Sequence, residues 1–446
     1  MDPWLAITGV LAALTALGLG LWLCQRRFAL HPELVRKLFH VGAGGICMTL
    51  PWVFTEAWPV LTLTGAALAG LVGVRILAAY GQGPGSILHD ISRRSVGEIA
   101  FPVAVAVLFL LTADTPLLYV IPLLVLTLAD AAAALAGLRY GTVRYTTSEG
   151  RKSLEGSAAF FLVTFLSVHV PLLLFSDVGR PESLLLGLVL ALLVMLLEAI
   201  AWRGMDNIYI PLGCYLLLTT HWHADTGQLA GLLAVTAGLL AFAWWWRTRT
   251  TLHDSATLAT ALIGYLLWAV GGWIWLVPPL VVFITYVLLS RRLNGDGDHV
   301  HGLRALLSVT IPGGLWLLFA LHLQRPELYA PYTAAFAAQL AIIGVARFRY
   351  QFPRTSNWRT WVTAALRAWA LVYVPFAAMA ASGATGAVTS HALLLQVAAG
   401  GAATALAALL FSRLQPGLDD CPVDNARWLR QGTIAAAVSP IALIGS

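Results

Sequence analysis

"WLAITGVLAALTALGLGLWLC", residues 4–24, runs for 21 residues without a charge. A helix of that length rises about 30 Å, the thickness of the hydrocarbon core of a bilayer. The residues before it, Met-Asp-Pro, carry an acid and no base, and Gln25-Arg26-Arg27 follows it. That order is the reverse of a secretory leader, so the run reads as a first span with its N terminus outside.

The pattern then repeats to the end of the chain. Further apolar runs cover 38–54, 58–79, 97–112, 116–138, 156–175, 183–201, 208–220, 226–246, 254–270, 273–290, 303–321, 328–346, 361–381, 388–411 and 428–444. The chain of 446 residues is 59% hydrophobic and 11% charged, with a mean hydropathy of +0.80, whereas about a quarter of the residues of a soluble domain are charged. These features predict an all-α polytopic integral membrane protein with about sixteen transmembrane helices in two halves.

Orientation follows from the basic residues. With the N terminus outside, the loops 25–37, 80–96, 139–155, 202–207, 247–253, 291–302, 347–360 and 412–427 lie on one side. Together with Arg304 and Arg430 at adjoining span ends, they hold 23 of the 27 lysines and arginines. The positive-inside rule makes that side cytoplasmic. The net charge of +6 is therefore topology and not a nucleic-acid footprint, and no nucleic-acid partner is expected. Cys24, Cys47, Cys214 and Cys421 form no CxxC and no metal spacing with histidine.

The two halves differ in texture. A boundary falls near "WWWRTRTTLHD" (244–254), giving domains 1–246 and 247–446. The first carries its polar groups in short clusters at the cytoplasmic ends of spans, where an ionisable residue is a functional candidate because charge against a bilayer is costly. "HPELVRKLFHVGAGG" (31–45) holds Arg36, Lys37 and His40, with Arg36 and His40 one turn apart on a helix. Arg36 and Lys37 alone would also suit an interfacial anchor. "HDISRRSVGE" (89–98) is basic and reads as a solvated loop ahead of Glu98. "LADAAAALAGLRYG" (128–141) sets Asp130 about 13 Å inside its span, beside the small residues Ala134, Gly137 and Gly141.

"EGRKSLEGS" (149–157) is the densest cluster. The chain has only two lysines, Lys37 and Lys152, against 25 arginines, and one of them stands here between Gly150 and Gly156. Arg151 and Lys152 supply cations, Ser153 a hydroxyl and Glu155 a carboxylate at a helix head. Backbone N–H groups at such a head favour an anion, and an ammonium is a compact point charge for phosphate. "LEAIAWRGMDNIYIPL" (197–212) adds Glu198 inside a span, then Asp206 and Asn207 at its exit, a pair that would also serve as a helix cap.

Cations for phosphates and carboxylates for Mg²⁺ at one interface form a constellation for phosphoryl transfer. There is no GxxxxGK[ST] and no HExxH, and "GAGG" (42–45) reads as helix packing more than as a dinucleotide loop.

"RKLFH" (36–40), "ADAAAALAGLRYG" (129–141), "GRKSLEGS" (150–157) and "DNIYIPL" (206–212) resemble, in order and approximate spacing, motifs of the phytol kinase and dolichol kinase family. These are integral-membrane kinases that use CTP or another nucleoside triphosphate to phosphorylate a long-chain isoprenoid alcohol. The resemblance covers residues 31 to about 220; Ala129 stands where the family usually has glycine. It implies that Asp130 and Glu155 hold Mg²⁺ or engage the attacking hydroxyl. Arg151 and Lys152, with Gly150, Ser153 and Gly156 around them, would bind nucleotide phosphates. Arg36, Lys37 and His40 would line the same pocket, and Asp206 and Asn207 would close it. On this reading the catalytic residues are Asp130, Lys152, Glu155 and His40, and the partners are a lipid alcohol, a nucleotide and membrane lipids at the cytoplasmic face of the cell membrane.

Residues 253–292 and 419–437 faintly resemble the phytyl-phosphate kinases, which add a second phosphate. Gln339 stands in a span where that family is expected to carry acids, so the second half reads as a degenerate unit that helps to bind lipid or stabilises the first. The alternatives are a fused kinase making the diphosphate, a CTP-dependent diacylglycerol kinase, a phosphatidate cytidylyltransferase, and, in another class, a transporter. A transporter predicts polar groups at the bilayer midplane and discontinuous helices, whereas here they gather at one face.

Overall fold

The structure is a computed structural model. It describes residues 2–79, 97–112, 115–147, 150–201, 204–247, 250, 252–291, 301–352, 354–383, 389–417 and 424–444, and for 74–79, 150, 246 and 289–291 the backbone alone. Most of the 89–98 cluster, together with Glu149 and Cys421, lies outside the described residues. Apart from one two-stranded hairpin and an isolated bridge between Leu252 and His301, the described regular structure is helical.

Two compact units divide the chain, Met1–Ala237 and Gly238–Ser446. The first begins with α1 (Pro3–Phe28), α2 (Pro32–Met48), the short α3 (Leu50–Val53), α4 (Ala57–Ala79) and α5 (Gly97–Leu111). Next, α6 (Pro116–Leu124) passes through a π turn, Val125–Ala129, into α7 (Asp130–Tyr140). The hairpin of β1 (Arg144–Thr147) and β2 (Gly150–Ser153) follows, then α8 (Leu154–Phe175), α9 (Arg180–Ile200), α10 (Asp206–His221) and α11 (Thr226–Trp246), within which the division falls. The second unit continues with α12 (Asp254–Gly271), α13 (Trp273–Arg291), α14 (Leu303–Leu323), α15 (Tyr329–Gln351), α16 (Asn357–Ala381), α17 (Ser390–Leu414) and α18 (Asn425–Val438). Among the described residues, ten helices are long and apolar enough to cross a membrane, and three shorter ones are also apolar.

Local chemistry sets the helix starts. Asp2 accepts from the Trp4 N–H at 2.9 Å with Pro3 at the first helical position, and His31 accepts from the Glu33 N–H at 3.2 Å ahead of Pro32. Each side chain satisfies an N–H that the first turn leaves unpaired, and proline loses nothing there. A single residue, Gly272 at φ +82°, joins α12 to α13 and donates its N–H to Trp268 O at 2.7 Å. That backbone conformation suits glycine.

Between apolar helices in lipid there is little hydrophobic drive, so small residues and close contact hold the bundle. In the first unit, a Cβ on Gly44 would come 2.0 Å from the Thr127 methyl and one on Gly42 2.7 Å from Leu17. The "GAGG" stretch is thus where α2 packs against α1 and the π turn. In the second unit, α15 is the central helix, with Ala334, Ala335, Ala337, Ala338 and Ala341 fully buried. Around it pack α14, α16, α17 and α18.

Candidate active site

Asp130 is the first residue of α7, directly after the π turn. A π turn adds a residue to one turn of helix and is frequent at functional sites; here it offsets Asp130 from the register of α6. Lys37 on α2 donates from Nζ to Asp130 Oδ2 at 2.6 Å and is only 4% exposed. His40, three residues along α2, brings Nε2 to 3.9 Å from the same oxygen, and Phe101 of α5 meets its ring edge-on at 5.2 Å. Among the described residues His40 Nε2, which is buried, has no hydrogen-bond partner.

The second centre begins on the hairpin. In the register of β1 and β2, Tyr145 faces Lys152. Lys152 Nζ donates to Glu198 Oε1 at 2.6 Å and to Glu198 O at 2.5 Å, at the end of α9. Burial works against the Lys152 ammonium. The charge and hydrogen bond of Glu198, with Tyr145 and Asp206 beyond, outweigh it and raise the pKa above that of an ordinary lysine. Lys152 therefore stays charged throughout the neutral range. Glu198 Oε2 is buried and has no hydrogen-bond partner among the described residues. The two centres are near each other, since Asp130 and Asp206 both act electrostatically on Glu198, and Asp130 acts on Asp206.

Asp206 heads α10. Asn207 beside it donates from Nδ2 to Gly97 O at 2.7 Å, tying α10 to the start of α5. Lys37, His40, Asp130, Lys152 and Asp206 thus come together as the sequence reading groups them, with Asn207 on the frame.

Other candidates are placed differently. Arg36 turns to Glu33, with Nη2 2.5 Å from Oε1 and Nε 3.0 Å from Oε2. The face of α2 turned to Asp130 is Lys37 with His40, not Arg36 with His40. Burial decides this: the shorter-headed ammonium fits beneath the carboxylate, while Arg36 stays half-exposed with a partner one turn away.

Glu155 Oε1 accepts from the Thr142 N–H at 2.9 Å, from the Thr142 hydroxyl and from the Val143 N–H at 3.2 Å. Its carboxylate fastens the chain leading into the hairpin. Ser153 Oγ accepts from the Gly156 N–H at 3.1 Å, capping α8, and a Cβ on Gly156 would lie 2.9 Å from Ala133 O. These two residues let α8 start against α7. Gly150 pairs with Thr147 and Arg151 with Thr146 in the hairpin, where Arg151 is exposed.

As for a metal, Lys37 takes one Asp130 oxygen and the Thr142–Val143 segment one Glu155 oxygen, while among the described residues Glu155 Oε2 is buried without a hydrogen bond. Among the described residues no group of three His, Cys, Asp or Glu is arranged to hold a metal ion.

Sequence reasoning noted Glu198 but left it out of the site, although a lone acid in the apolar run "LVMLLEAI" (193–200) signals a buried partner. Glu33, and the Tyr145 hydroxyl 2.7 Å from Ser157 Oγ, carry no such signal.

This arrangement can be set beside known proteins. The chain is 28% identical over 216 residues to the phytol kinase of Synechocystis sp. (strain ATCC 27184 / PCC 6803 / Kazusa), covering 48% of this chain and 90% of that protein. It carries a phytol kinase-like segment. No family model and no solved structure matches the chain. Within the phytol kinase-like reading, the two lysines take on distinct places: Lys37 is neutralised by Asp130 inside the bundle, and Lys152 is held by Glu198 where the hairpin meets α9.

Proposed function

We propose that this protein is a membrane-embedded kinase that transfers the γ-phosphoryl group of CTP or another nucleoside triphosphate to an isoprenoid alcohol. The observation that carries it is the Lys37–Asp130 ion pair beside the Lys152–Glu198 pair, in a chain similar to phytol kinase. Asp130, paired with Lys37, is the acceptor for the proton of the alcohol. The alcohol oxygen forms the new O–P bond, the bond from Pγ to the bridging oxygen breaks, and the nucleoside diphosphate leaves with that electron pair. Lys152 faces the phosphates, with Glu198 holding it in place between turnovers. Such transition states are loose, so positioning and charge neutralisation outweigh a strong base. A divalent cation arrives as part of the nucleotide substrate, since Mg²⁺ is commonly held by substrate phosphates plus one or two carboxylates.

The proposal places the site at the cytoplasmic face of the cell membrane, in a chain crossing about sixteen times with its N terminus outside. The second domain then binds lipid or steadies the first. The test is to incubate purified protein with γ-labelled CTP, Mg²⁺ and phytol, geranylgeraniol, farnesol, a polyprenol or diacylglycerol, and to resolve the lipids. A labelled monophosphate of one alcohol supports the reading and names the substrate. Labelled pyrophosphate on adding phosphatidate, in place of labelled lipid, points to cytidylyl transfer, and no labelled product with any donor or acceptor overturns the kinase.

A further inference from the structure

The three glycines of "GAGG" (42–45) stand on α2 and are not alike. A Cβ at Gly45 would meet nothing within 4 Å, and one at Gly42 would meet only the side-chain end of Leu17. A Cβ at Gly44 would lie 2.0 Å from the Thr127 methyl carbon and 3.0 Å from Thr127 Cβ. Thr127 is fully buried at the middle of the π turn, and its hydroxyl donates to Leu123 O at 2.7 Å. Turning this side chain to clear the methyl would break that hydrogen bond and drive another group into packed surroundings. Of the three glycines, Gly44 alone rests on a side chain held in place.

Gly44 lies two helical turns beyond Lys37, so the two share a face of α2 about 10 Å apart, and both are buried. Thr127 precedes Asp130 by three residues. Helix α2 therefore meets this stretch at two points, Gly44 on Thr127 and Lys37 on Asp130. Neither point has slack. Ordinary contact begins at 3.4 Å, so a Cβ at position 44 calls for a displacement of about 1.4 Å. The Lys37–Asp130 hydrogen bond, at 2.6 Å, can lengthen by only about 0.6 Å before it leaves the hydrogen-bonding range. We infer that Gly44 and Thr127 are positioning residues: the seat of Gly44 on the π turn sets Asp130 against Lys37 and so orients the carboxylate that takes the proton of the alcohol. The seat follows from the contacts, whereas its effect on rate rests on the kinase reading.

The experiment reads the ion pair by treating the full-length protein in neutral detergent with dicyclohexylcarbodiimide and mapping the modified peptides by mass spectrometry. The reagent adds to protonated carboxyls in apolar surroundings, and a buried carboxylate that loses its cation takes up a proton. Gly44→Ala is expected to raise labelling of Asp130 several-fold and leave that of Glu198 unchanged, while Gly45→Ala changes neither. Adding Thr127→Ser to Gly44→Ala removes the obstructing methyl, keeps the hydroxyl and is expected to restore protection. Where Gly44→Ala does not fold, Thr127→Val keeps the volume but releases the turn from Leu123 O, and labelling of Asp130 is expected to rise there instead. In the labelled-lipid assay, kcat of Gly44→Ala is expected to fall about a hundredfold, the cost of a misplacement of about 1 Å, and to recover with Thr127→Ser. KM for CTP should not move, because Lys152 stands on another element; a merely structural defect would lower the folded fraction and leave kcat per folded molecule unchanged. Protection of Asp130 kept in folded Gly44→Ala or Thr127→Val, equal labelling in Gly45→Ala, or no recovery with Thr127→Ser overturns the seat. Raised labelling with an unchanged kcat overturns its part in catalysis. Failure of the kinase reading shows separately, as wild-type protein that makes no labelled lipid, and the labelling result stands without it.

Discussion

The polar interiors of the two units are built from different groups. In the first, charges are paired between elements far apart in sequence, Lys37 with Asp130 and Lys152 with Glu198, and among the described residues His40 Nε2 and Glu198 Oε2 have no hydrogen bond. In the second, Gln339 lies at the heart of α15, donating to Ser308 O at 2.7 Å and accepting from Gln431 at 2.8 Å. One interior holds its charges in pairs across the bundle; at the centre of the other a neutral amide chain runs from Gln431 through Gln339 to Ser308. Burying charge is costly even when it is paired, so in a membrane it marks a functional candidate, whereas a satisfied amide chain fixes helix positions at little cost. The difference teaches where to look for turnover and where for architecture.

Asp130→Asn carries the largest expected loss in catalysis. Removing a positioned proton acceptor costs about a hundredfold to ten-thousandfold, read as initial rate of labelled lipid with insertion checked by membrane fractionation. A mutant that turns over normally would reduce the first interior to architecture as well. Lys152→Ala comes next. It strands the buried Glu198, and breaking such a pair costs about 3 kcal/mol where burial is full, less here because Lys152 is partly exposed. Activity is expected to fall with it, while Lys152→Ala combined with Glu198→Gln regains stability in thermal unfolding but not rate.

In the second unit, Gln339→Leu leaves the Gln431 amide without its acceptor and Ser308 O without its donor, which costs about 1–3 kcal/mol. Thermal unfolding should register it, and the rate of lipid phosphorylation should not change. A lost rate with full stability would place Gln339 in the chemistry. The smallest effect is expected for Glu155→Gln. A carboxamide oxygen still accepts from Thr142 and Val143, one hydrogen bond being worth about 1 kcal/mol, so the rate should stay within about fivefold. A drop as large as that of Asp130→Asn would return Glu155 to the reaction centre.

Much of the candidate site's polar clustering was legible because charge in an apolar chain is rare. Asp130, Lys37, Lys152 and Asp206 stood out from their surroundings, and the structure gathers them. Glu155 was equally conspicuous, yet its oxygen serves the backbone of Thr142 and Val143; sequence spacing does not say which way a carboxylate at a helix head will turn. Arg36 and Lys37 are neighbours in sequence, and choosing between them required knowing how α2 is rotated. Contact between Gly44 and Thr127 sets that rotation. The π turn before Asp130 left no mark in "VLTLA", because it arises from packing and not from residue propensity.

By itself the sequence determined the helical membrane class, the two textures of the chain and the likeness of one segment to phytol kinase, because hydropathy, helix period and charge rarity are local properties. Only the tertiary structure decided the partnerships: Lys37 with Asp130 across 93 residues, Lys152 with Glu198 across 46, and Gly44 with Thr127. Which side chains meet depends on helix rotation and register. Those are settled by close packing of small residues across the bundle, to which no single stretch of sequence holds the key.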